Sequence, residues 1–197
     1  VLRIQLSRGP GPRGYAAQGA GPPTLVMSVH PLGVGEGGVK QWKLIVSSFR
    51  LAEGSQLSGC KTTNKLVHIL AREEAASRGC HDAVLLNTAG EVAETTCANL
   101  FLIRGETILT PPLSSGAVSG VTRGWILRRC CELGLEAGEE SIQPVQLCAA
   151  DGCFVTNSAL GMVEILEIER QPLRRSALTG RIHQELAEAL AADTRSV

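Results

Sequence analysis

The feature that most constrains the fold is a run of short apolar segments separated by glycine turns in the middle of the chain. Ala83–Asn87 is the first such segment, and the turn Thr88-Ala89-Gly90 leads into the next. The later segments lie at Val92–Ala93, Asn99–Arg104 and Thr107–Leu109. Runs of this length that are bounded by turn residues are typical of strands joined in hairpins. The pattern therefore predicts a meander of strands.

Further segments of the chain have the periodicity of strands or helices. Strand patterns occur at Val1–Ser7, Thr24–His30, Trp42–Phe49, Gly152–Thr156 and Val163–Ile168. Helical patterns occur at Asn64–Ser77, Val121–Leu133 and Ala177–Ala191. This order of elements predicts an α+β fold with a largely antiparallel sheet.

The first predicted helix carries an apolar stripe and a charged one. The apolar stripe, which recurs at helical spacing, consists of Leu66, Ile69, Leu70 and Ala76. The charged residues, which we expect to form the solvated face, are Arg72, Glu73 and Glu74. Gly79 is expected to end the helix as a C-cap.

Composition and charge are those of a soluble globular protein. The chain has 197 residues, 44% of them hydrophobic, and its 19 basic residues balance 19 acidic ones. This balance gives no basic footprint for nucleic acid. No apolar run approaches the roughly 20 residues needed to cross a bilayer. We therefore expect a cytoplasmic protein that binds neither nucleic acid nor membrane.

The seven cysteines are odd in number and scattered along the chain. They contain no Cys-x-x-Cys pair and no His/Cys spacing of a metal site, so the sequence predicts neither a disulfide framework nor bound zinc. We expect them to be small buried hydrophobic residues. They are Cys60, Cys80, Cys97, Cys130, Cys131, Cys148 and Cys153.

Two glycine-rich stretches divide the beginning of the chain. Residues 8–23 hold many of the glycines and prolines and predict a long loop. A second stretch at 33–38 is the expected domain boundary, which separates residues 1–38 from residues 39–197. The first strand begins at Val1 with no initiator Met and no lead-in, which favours a fragment of a longer protein.

Two residues suggest chemistry. Lys61 lies in Gly59-Cys60-Lys61-Thr62-Thr63-Asn64, and Glu94 lies within the predicted meander. A lysine amine can form a Schiff base with the aldehyde of a cofactor, and a carboxylate beside a pyridine nitrogen keeps that nitrogen protonated. Alone, each would be an ordinary surface charge. Together they predict a pyridoxal-phosphate site.

Two further segments suit an anionic cofactor. Gly120-Val121-Thr122-Arg123 opens a predicted helix, and Thr156-Asn157-Ser158-Ala159 follows a predicted strand at a turn. Free backbone N–H groups and hydroxyls at such places are natural phosphate ligands. Each segment alone is more often an ordinary helix start or a polar turn.

The ordered series of segments resembles the fold-type IV pyridoxal-phosphate enzymes, which include branched-chain and D-amino-acid aminotransferases and aminodeoxychorismate lyase. The resemblance runs from Arg8 to about Leu173. The matching segments are Lys61–Asn64, Ala71 and Ala75 on the following helix, Asp82–Asn87, Gly90–Glu94, Asn99–Phe101, Leu109–Pro112 and Gly120–Arg123. It implies the large cofactor-binding domain of that fold at 39–197. Residues 1–38 would be the tail end of a truncated small N-terminal α/β domain plus the interdomain linker.

The same resemblance implies roles for five residues. Lys61 corresponds to the Schiff-base lysine and catalytic acid/base, and Glu94 to the partner of the pyridine nitrogen. Val121, Thr122 and Ser158 fall where the family contacts the cofactor phosphate, Val121 through its backbone. The family also has a phosphate-binding arginine in its small N-terminal domain, and that arginine has no counterpart in this sequence.

The segment Arg8-Gly9-Pro10-Gly11-Pro12-Arg13-Gly14-Tyr15, here called the front loop, resembles a loop of aminodeoxychorismate lyase. D-amino-acid aminotransferases carry a similar loop with histidine in place of Tyr15. Arg13 would hold a substrate carboxylate, and Tyr15 would form a substrate wall or donate a hydrogen bond. The alternative is a flexible connection with solvated arginines. In relatives this loop can reach the neighbouring subunit, which implies a homodimer.

The resemblance thus implies a carbon–oxygen lyase that converts 4-amino-4-deoxychorismate to 4-aminobenzoate and pyruvate in folate biosynthesis. One alternative is a D-amino-acid or branched-chain aminotransferase of the same fold. Another is a non-catalytic dimeric fragment or pseudoenzyme, which the intact Lys61 and Glu94 disfavour.

Overall fold

The computed structural model describes residues 1–31, 40–53, 57 and 59–193. The chain divides into two compact units, Val1–Glu36 and Gly37–Val197. The glycine-rich stretch at 33–38 and the predicted domain boundary after residue 38 lie outside the described residues.

The first unit is a two-stranded antiparallel sheet with a long connection. Strands β1 (Leu2–Ser7) and β2 (Thr24–Val29) pair from one end to the other. The connection at 8–23 is irregular, as its glycines and prolines predict. Its two ends are held together by a hydrogen bond from Gly21 N–H to the Pro10 carbonyl, at 2.8 Å. Gly9 is required there because a Cβ would lie 2.1 Å from the Pro22 carbonyl oxygen.

The second unit contains a nine-stranded sheet in its described residues. Its strands are β3 (Lys40–Leu51), β4 (Asp82–Asn87), β5 (Val92–Thr95), β6 (Asn99–Arg104), β7 (Thr107–Thr110), β8 (Ala137–Glu139), β9 (Gly152–Asn157), β10 (Gly161–Ile168) and β11 (Gln171–Pro172). They are ordered β5-β4-β3-β10-β9-β6-β7-β8, and β11 pairs with β10. The pairs β3–β4, β3–β10 and β7–β8 are parallel and the others antiparallel. The predicted α+β fold is confirmed.

Four α-helices pack around this sheet in the described chain: α1 (Leu66–Ser77), α2 (Val121–Glu132), α3 (Pro144–Ala149) and α4 (Ala177–Asp193). Helix α1 contacts β3 and β4, whereas α2 and α4 contact β9. The stacked rings of Phe101 and Phe154, with centroids 4.8 Å apart, form the centre of the core beneath α2 and α4. No helix among the described residues is long and apolar enough to span a membrane.

The elements that the sequence did not reveal are short. Strands β8 and β11 have three and two residues, and α3 has six, so none is long enough to display a period. Helix α3 did carry a local signal. Pro144 stands in its first turn, and the Gln146 side chain accepts a hydrogen bond from Gln143 N–H at 2.6 Å.

The predicted apolar face of α1 is wrong. Leu66 and Ile69 are 63% and 57% exposed, whereas Ala71 and Ala75 are fully buried against β3 and β4. Small alanines allow the helix backbone to approach the sheet closely, so this face was hidden by the more apolar leucines and isoleucine. Glu74 is not simply solvated either, because its carboxylate accepts hydrogen bonds from Ser47 and Ser48.

The expectation that the cysteines are buried is wrong for most of them. All seven are free thiols, and only Cys130 and Cys153 are buried. The exposed ones lie in loops or on helices: Cys60, Cys97, Cys131 and Cys148. The thiol of Cys97 nevertheless donates a hydrogen bond to Asp82 at 3.4 Å, and burial raises its pKa to about 12.

Candidate active site

Glu94 is a buried carboxylate on β5, a strand whose four residues are all buried. Only 5% of the residue is exposed. Its Oε2 accepts a hydrogen bond from Val118 N–H at 3.0 Å, and its Oε1 lies 3.2 Å from His68 Nε2 on α1. A buried charge without such partners would be costly, so these contacts explain how the fold retains it. They also fix the orientation of the carboxylate.

Val118 belongs to the segment that leads into α2, and Asn99 on β6 holds that segment in place. Asn99 Nδ2 donates to the Val118 carbonyl at 2.8 Å. At Gly120 a Cβ would lie 2.0 Å from Asn99 Oδ1, so only glycine fits at this approach. The same short segment thus connects the Glu94 carboxylate to the beginning of α2.

The first turn of α2 is open to an anion. Gly120 occupies the N-cap position and has no side chain to cap the helix. The first-turn N–H groups receive no side-chain acceptor from the described residues, and Val121 is 80% exposed. Such N–H groups and the helix dipole favour negative charge. Thr122, the next residue, is half-buried.

Arg123 does not take part in this anion site, although it follows Thr122 directly. Its side chain is buried. It donates to the Pro111 carbonyl at 2.9 Å and forms an ion pair with Glu139 at 2.9 Å. Arg123 therefore holds α2 against the segment after β7 and the end of β8.

Ser158 lies in the turn between β9 and β10, and its side chain is exposed. The preceding Asn157 shapes this turn, because its Oδ1 accepts hydrogen bonds from Ala159 N–H at 3.0 Å and from Leu160 N–H at 2.7 Å. Asn157 Nδ2 also donates to the Cys97 carbonyl at 3.3 Å, which joins the turn to the segment after Glu94. The Ser158 hydroxyl has no hydrogen-bond partner among the described residues.

Lys61 lies in the loop before α1 and is exposed. It forms no ion pair or hydrogen bond with the described residues. Its positive charge interacts with that of Lys65, a half-buried lysine directly before α1. Burial lowers the pKa of the Lys65 amine, Glu94 raises it and Lys61 lowers it further, so the net pKa is below the usual value. The charge of Lys65 thus interacts with both residues predicted for the cofactor.

Sequence reasoning missed two residues beside Glu94. Lys65 Nζ lies 3.4 Å from His68 Nε2, the nitrogen that faces Glu94. The one available signal was the three-residue spacing of Lys65 and His68, which places them on the same side of a helix start. A histidine within an apolar helical stretch gave no further indication of its partner.

The predicted substrate residues Arg13 and Tyr15 belong to the first unit. The front loop is closed by Arg8, whose guanidinium donates to the Tyr15 and Ala16 carbonyls at 3.4 and 2.9 Å. Arg13 is exposed and has no partner among the described residues. The Tyr15 residue is fully exposed. The two side chains are therefore presented outwards from a loop that is tied back on itself.

Several known proteins are similar to this chain. The sequence profile of the family described as Amino-transferase class IV matches residues 1–168. The aminodeoxychorismate lyase of Vibrio harveyi is 34% identical over 169 residues, which cover 83% of this chain and 61% of that protein.

Solved structures of two kinds of enzyme are also similar. The branched-chain aminotransferase of Thermoproteus uzoniensis has a TM-score of 0.83 and 28% identity, over 94% of this chain and 63% of that one. The 4-amino-4-deoxychorismate lyase of Pseudomonas aeruginosa has a TM-score of 0.84 and 27% identity, over 95% of this chain and 70% of that one.

Two curated relatives are spanned by this chain to only 65% and 61% of their own lengths. Lyases and aminotransferases are both among the similar proteins, so the shared property is the family rather than one reaction. The chain belongs to the class IV aminotransferase family, whose members are fold-type IV enzymes that use pyridoxal phosphate.

Proposed function

We propose that the complete protein containing this chain is an aminodeoxychorismate lyase, which converts 4-amino-4-deoxychorismate to 4-aminobenzoate and pyruvate in folate biosynthesis. The observation that carries this choice is the front loop. Its two arginines have different environments, and Tyr15 stands where D-amino-acid aminotransferases have histidine.

Arg8 and Arg13 differ in what their guanidinium groups contact. Arg8 is committed to two backbone carbonyls of its own loop, whereas Arg13 is unpaired among the described residues. The substrate bears a ring carboxylate and an enolpyruvyl carboxylate, so its site needs a cation with a free planar fork. Arg13 meets this requirement, and the exposed Tyr15 follows it two residues later. The closed loop holds both residues on a backbone with defined contacts, which disfavours a merely flexible connection.

The second unit fits pyridoxal phosphate at three points. Glu94 is a buried, oriented carboxylate suited to the ring nitrogen. The open first turn of α2 would hold the phosphate through Val121 N–H and Thr122, and the free Ser158 hydroxyl would add a further donor. The exposed Lys61 amine would hold the cofactor aldehyde. When bound, the cofactor supplies an electron-accepting ring.

In the proposed reaction, Lys61 acts as the base that takes the proton from the substrate carbon bearing the amino group. The carbon–oxygen bond to the neighbouring enolpyruvyl group breaks, and the carbocycle becomes aromatic. The departing enolpyruvate takes up a proton and becomes pyruvate. The atoms of the substrate are all accounted for in the two products, and no oxidant is required. The buried Glu94 carboxylate would stabilise positive charge on the ring nitrogen of a bound cofactor.

A branched-chain or D-amino-acid aminotransferase is the second candidate, favoured by the similarity to the Thermoproteus uzoniensis enzyme. It would use Lys61 for the same proton removal. It differs in where Lys61 returns the proton and in passing the amino group to a 2-oxo acid. The buried residues around Glu94 serve both reactions equally, so only the front loop separates them.

The test supplies the complete protein with aminodeoxychorismate and measures 4-aminobenzoate and pyruvate. A parallel assay supplies D-alanine or a branched-chain amino acid with 2-oxoglutarate. We expect 4-aminobenzoate and pyruvate in equal amounts, and Tyr15→His should reduce their formation. Amino-group transfer without 4-aminobenzoate would replace the lyase by the aminotransferase. A colourless protein inactive in both assays would favour the pseudoenzyme.

We also propose that the complete protein is a homodimer, as the likeness of the front loop to loops that reach a neighbouring subunit implies. Light scattering coupled to gel filtration of the complete protein measures its mass directly. A monomeric mass would contradict this part of the proposal.

A further inference from the structure

His68 is the buried polar residue beside the candidate site for which the proposed reaction has no role. Its side chain is 13% exposed and lies on the first turn of α1. Nε2 is 3.2 Å from Glu94 Oε1, whereas Nδ1 is buried without a hydrogen-bond partner among the described residues. The two ring nitrogens therefore have very different surroundings.

These surroundings decide where the imidazole proton lies. A proton on Nδ1 would be a buried donor with no acceptor, and it would leave the Nε2 lone pair facing a carboxylate oxygen. A proton on Nε2 instead donates directly to Glu94 Oε1. A proton on Nε2 therefore fits these surroundings best.

We propose that His68 is a positioning residue, which donates its Nε2 proton to Glu94 and, with Val118 N–H, holds the carboxylate in the orientation that the cofactor ring requires. This inference deepens the proposed function and rests on its assignment of Glu94 to the ring nitrogen. Oε1 is held from α1 and Oε2 from the segment before α2. Each oxygen retains lone-pair capacity for a further donor.

Three charged groups surround this arrangement: Glu94 across from the ring, Lys65 on the same helix start, and Lys61 through its effect on Lys65. With the proton on Nε2, Lys65 cannot donate to that nitrogen. Lys65 contributes positive charge near Glu94 instead, and the directional contact comes from His68.

The first measurement is independent of the cofactor. Long-range ¹H–¹⁵N NMR of the cofactor-free complete protein, labelled on histidine, reports which ring nitrogen of His68 carries the proton near neutral pH. We expect a protonated Nε2. An unprotonated Nε2 would overturn the proposal, because the contact with Glu94 could not then be a donated hydrogen bond.

The second measurement uses His68→Leu and His68→Gln in the complete protein. Leucine removes the donor, whereas the glutamine amide can place an N–H near the position of Nε2. Titration of cofactor into cofactor-free protein should show affinity about 10-fold weaker or more for His68→Leu, as expected for loss of a hydrogen bond to a charged group. His68→Gln should recover most of the affinity and the absorbance spectrum of the bound cofactor. His183→Gln, on α4, is the matched control and should leave both unchanged.

Glu94→Gln separates the role of His68 from the assignment of Glu94 to the ring nitrogen. If His68 acts through the Glu94 carboxylate, adding His68→Leu to Glu94→Gln should weaken binding much less than His68→Leu does alone. An equal loss in both backgrounds, or wild-type affinity and spectrum in His68→Leu, would overturn the positioning role. If Glu94→Gln itself changes neither affinity nor spectrum, the assignment of Glu94 to the ring nitrogen fails, and the NMR result still decides whether His68 donates to Glu94.

Discussion

Glu94 and the arginine Arg13 of the front loop lie in opposite environments. Glu94 is buried, and each of its carboxylate oxygens faces a donor from a different part of the second unit. Arg13 in the first unit is exposed and unpaired among the described residues, while Arg8 closes its loop. In the proposed enzyme, the charge that faces a permanent cofactor is oriented in advance, whereas the charge that recognises an incoming substrate is left free. Preorganisation is valuable where reorganisation would otherwise cost energy in every turnover.

The largest expected effect concerns Lys61, an exposed amine whose proposed role is to bind the same cofactor as the buried Glu94. Lys61→Ala should abolish turnover, even if some cofactor still binds without a covalent link. Borohydride reduction of the native protein, followed by peptide mass mapping, should place the cofactor on Lys61. Lys65 is the sharpest internal control, since its amine is close to His68 and interacts with Glu94. An adduct on Lys65, Lys43 or Lys40 would contradict the assignment.

Glu94→Ala tests the role that we propose for this buried carboxylate. It should lower the rate by orders of magnitude, because the cofactor ring would lose its proposed negative partner. The same change leaves Val118 N–H and His68 Nε2 without their acceptor. We therefore expect the cofactor-free protein to lose about 1–3 kcal/mol of unfolding free energy in urea titrations. Near-normal turnover would mean that the ring nitrogen has another partner.

Glu91→Ala is the matched control for Glu94→Ala. Glu91 lies three residues earlier, and its carboxylate contacts Asn87 and Ser141 at a partly exposed position. We expect turnover close to that of the wild type. Equal rate losses in the two variants would indicate a general disturbance of β5 rather than a specific role for Glu94.

Arg13→Ala tests the exposed front loop, and it should weaken the binding of substrate alone. Substrate binding should weaken by roughly 2–5 kcal/mol if the charge pair is desolvated in the complex. Cofactor affinity and unfolding free energy should not change, because Arg13 has no partner among the described residues to lose. Equilibrium titration with a non-reacting substrate analogue measures the first, and cofactor titration the second.

Arg8→Ala provides the contrast within the same loop. It removes two hydrogen bonds to backbone carbonyls, so hydrogen exchange in the front loop should rise even without substrate. Arg13→Ala should leave that exchange unchanged. If Arg13→Ala increased it as much as Arg8→Ala, Arg13 would be a structural residue of the loop, and its assignment to the substrate would fail.

The sequence predicted those parts of the molecule where one local pattern dominates. The glycine turns of the meander were readable because Gly90 and Gly105 adopt positive φ, a backbone conformation that favours glycine. The buried face of α1 was not readable, since Ala71 and Ala75 carry less apolar surface than the exposed Leu66. Which face packs depends on how closely β3 and β4 approach, and that is a tertiary property.

The candidate site was likewise only partly predictable from the sequence. The roles of Lys61 and Glu94 could be expected because their segments resemble a known arrangement, although those roles remain predictions. The contacts that orient Glu94 could not be expected, because His68 and Val118 come from distant segments and only the folded sheet brings them to the same carboxylate. Residues that act on other residues leave little trace in a single sequence.

A substitution of Lys65 should have the smallest effect. It tests whether burying this charge near Glu94 lowers the free energy of unfolding. Burial lowers the pKa of its amine below the usual value, Glu94 opposes this, and Lys61 adds to it. Between that lowered pKa and the usual value of about 10.4, the unfolded chain binds more protons than the folded one, so stability should rise with pH across this window. Lys65→Met removes the penalty. It should therefore be more stable than the wild type near neutral pH, by an amount that shrinks as the pH rises through the window.

Urea titrations of both proteins at a series of pH values measure that difference, with Lys43→Met as a control for general alkaline effects. The Lys43 amine is about half exposed and pairs with Glu167 at the surface, away from the contacts of Glu94 described above. Lys65 itself stays partly exposed, so solvent screening keeps the expected effect small. A stability difference that stays constant with pH would show that the Lys65 charge is not penalised. The Lys65 cation near Glu94 would then carry no free-energy penalty. The surroundings of Glu94 and the front loop would differ only in their geometry.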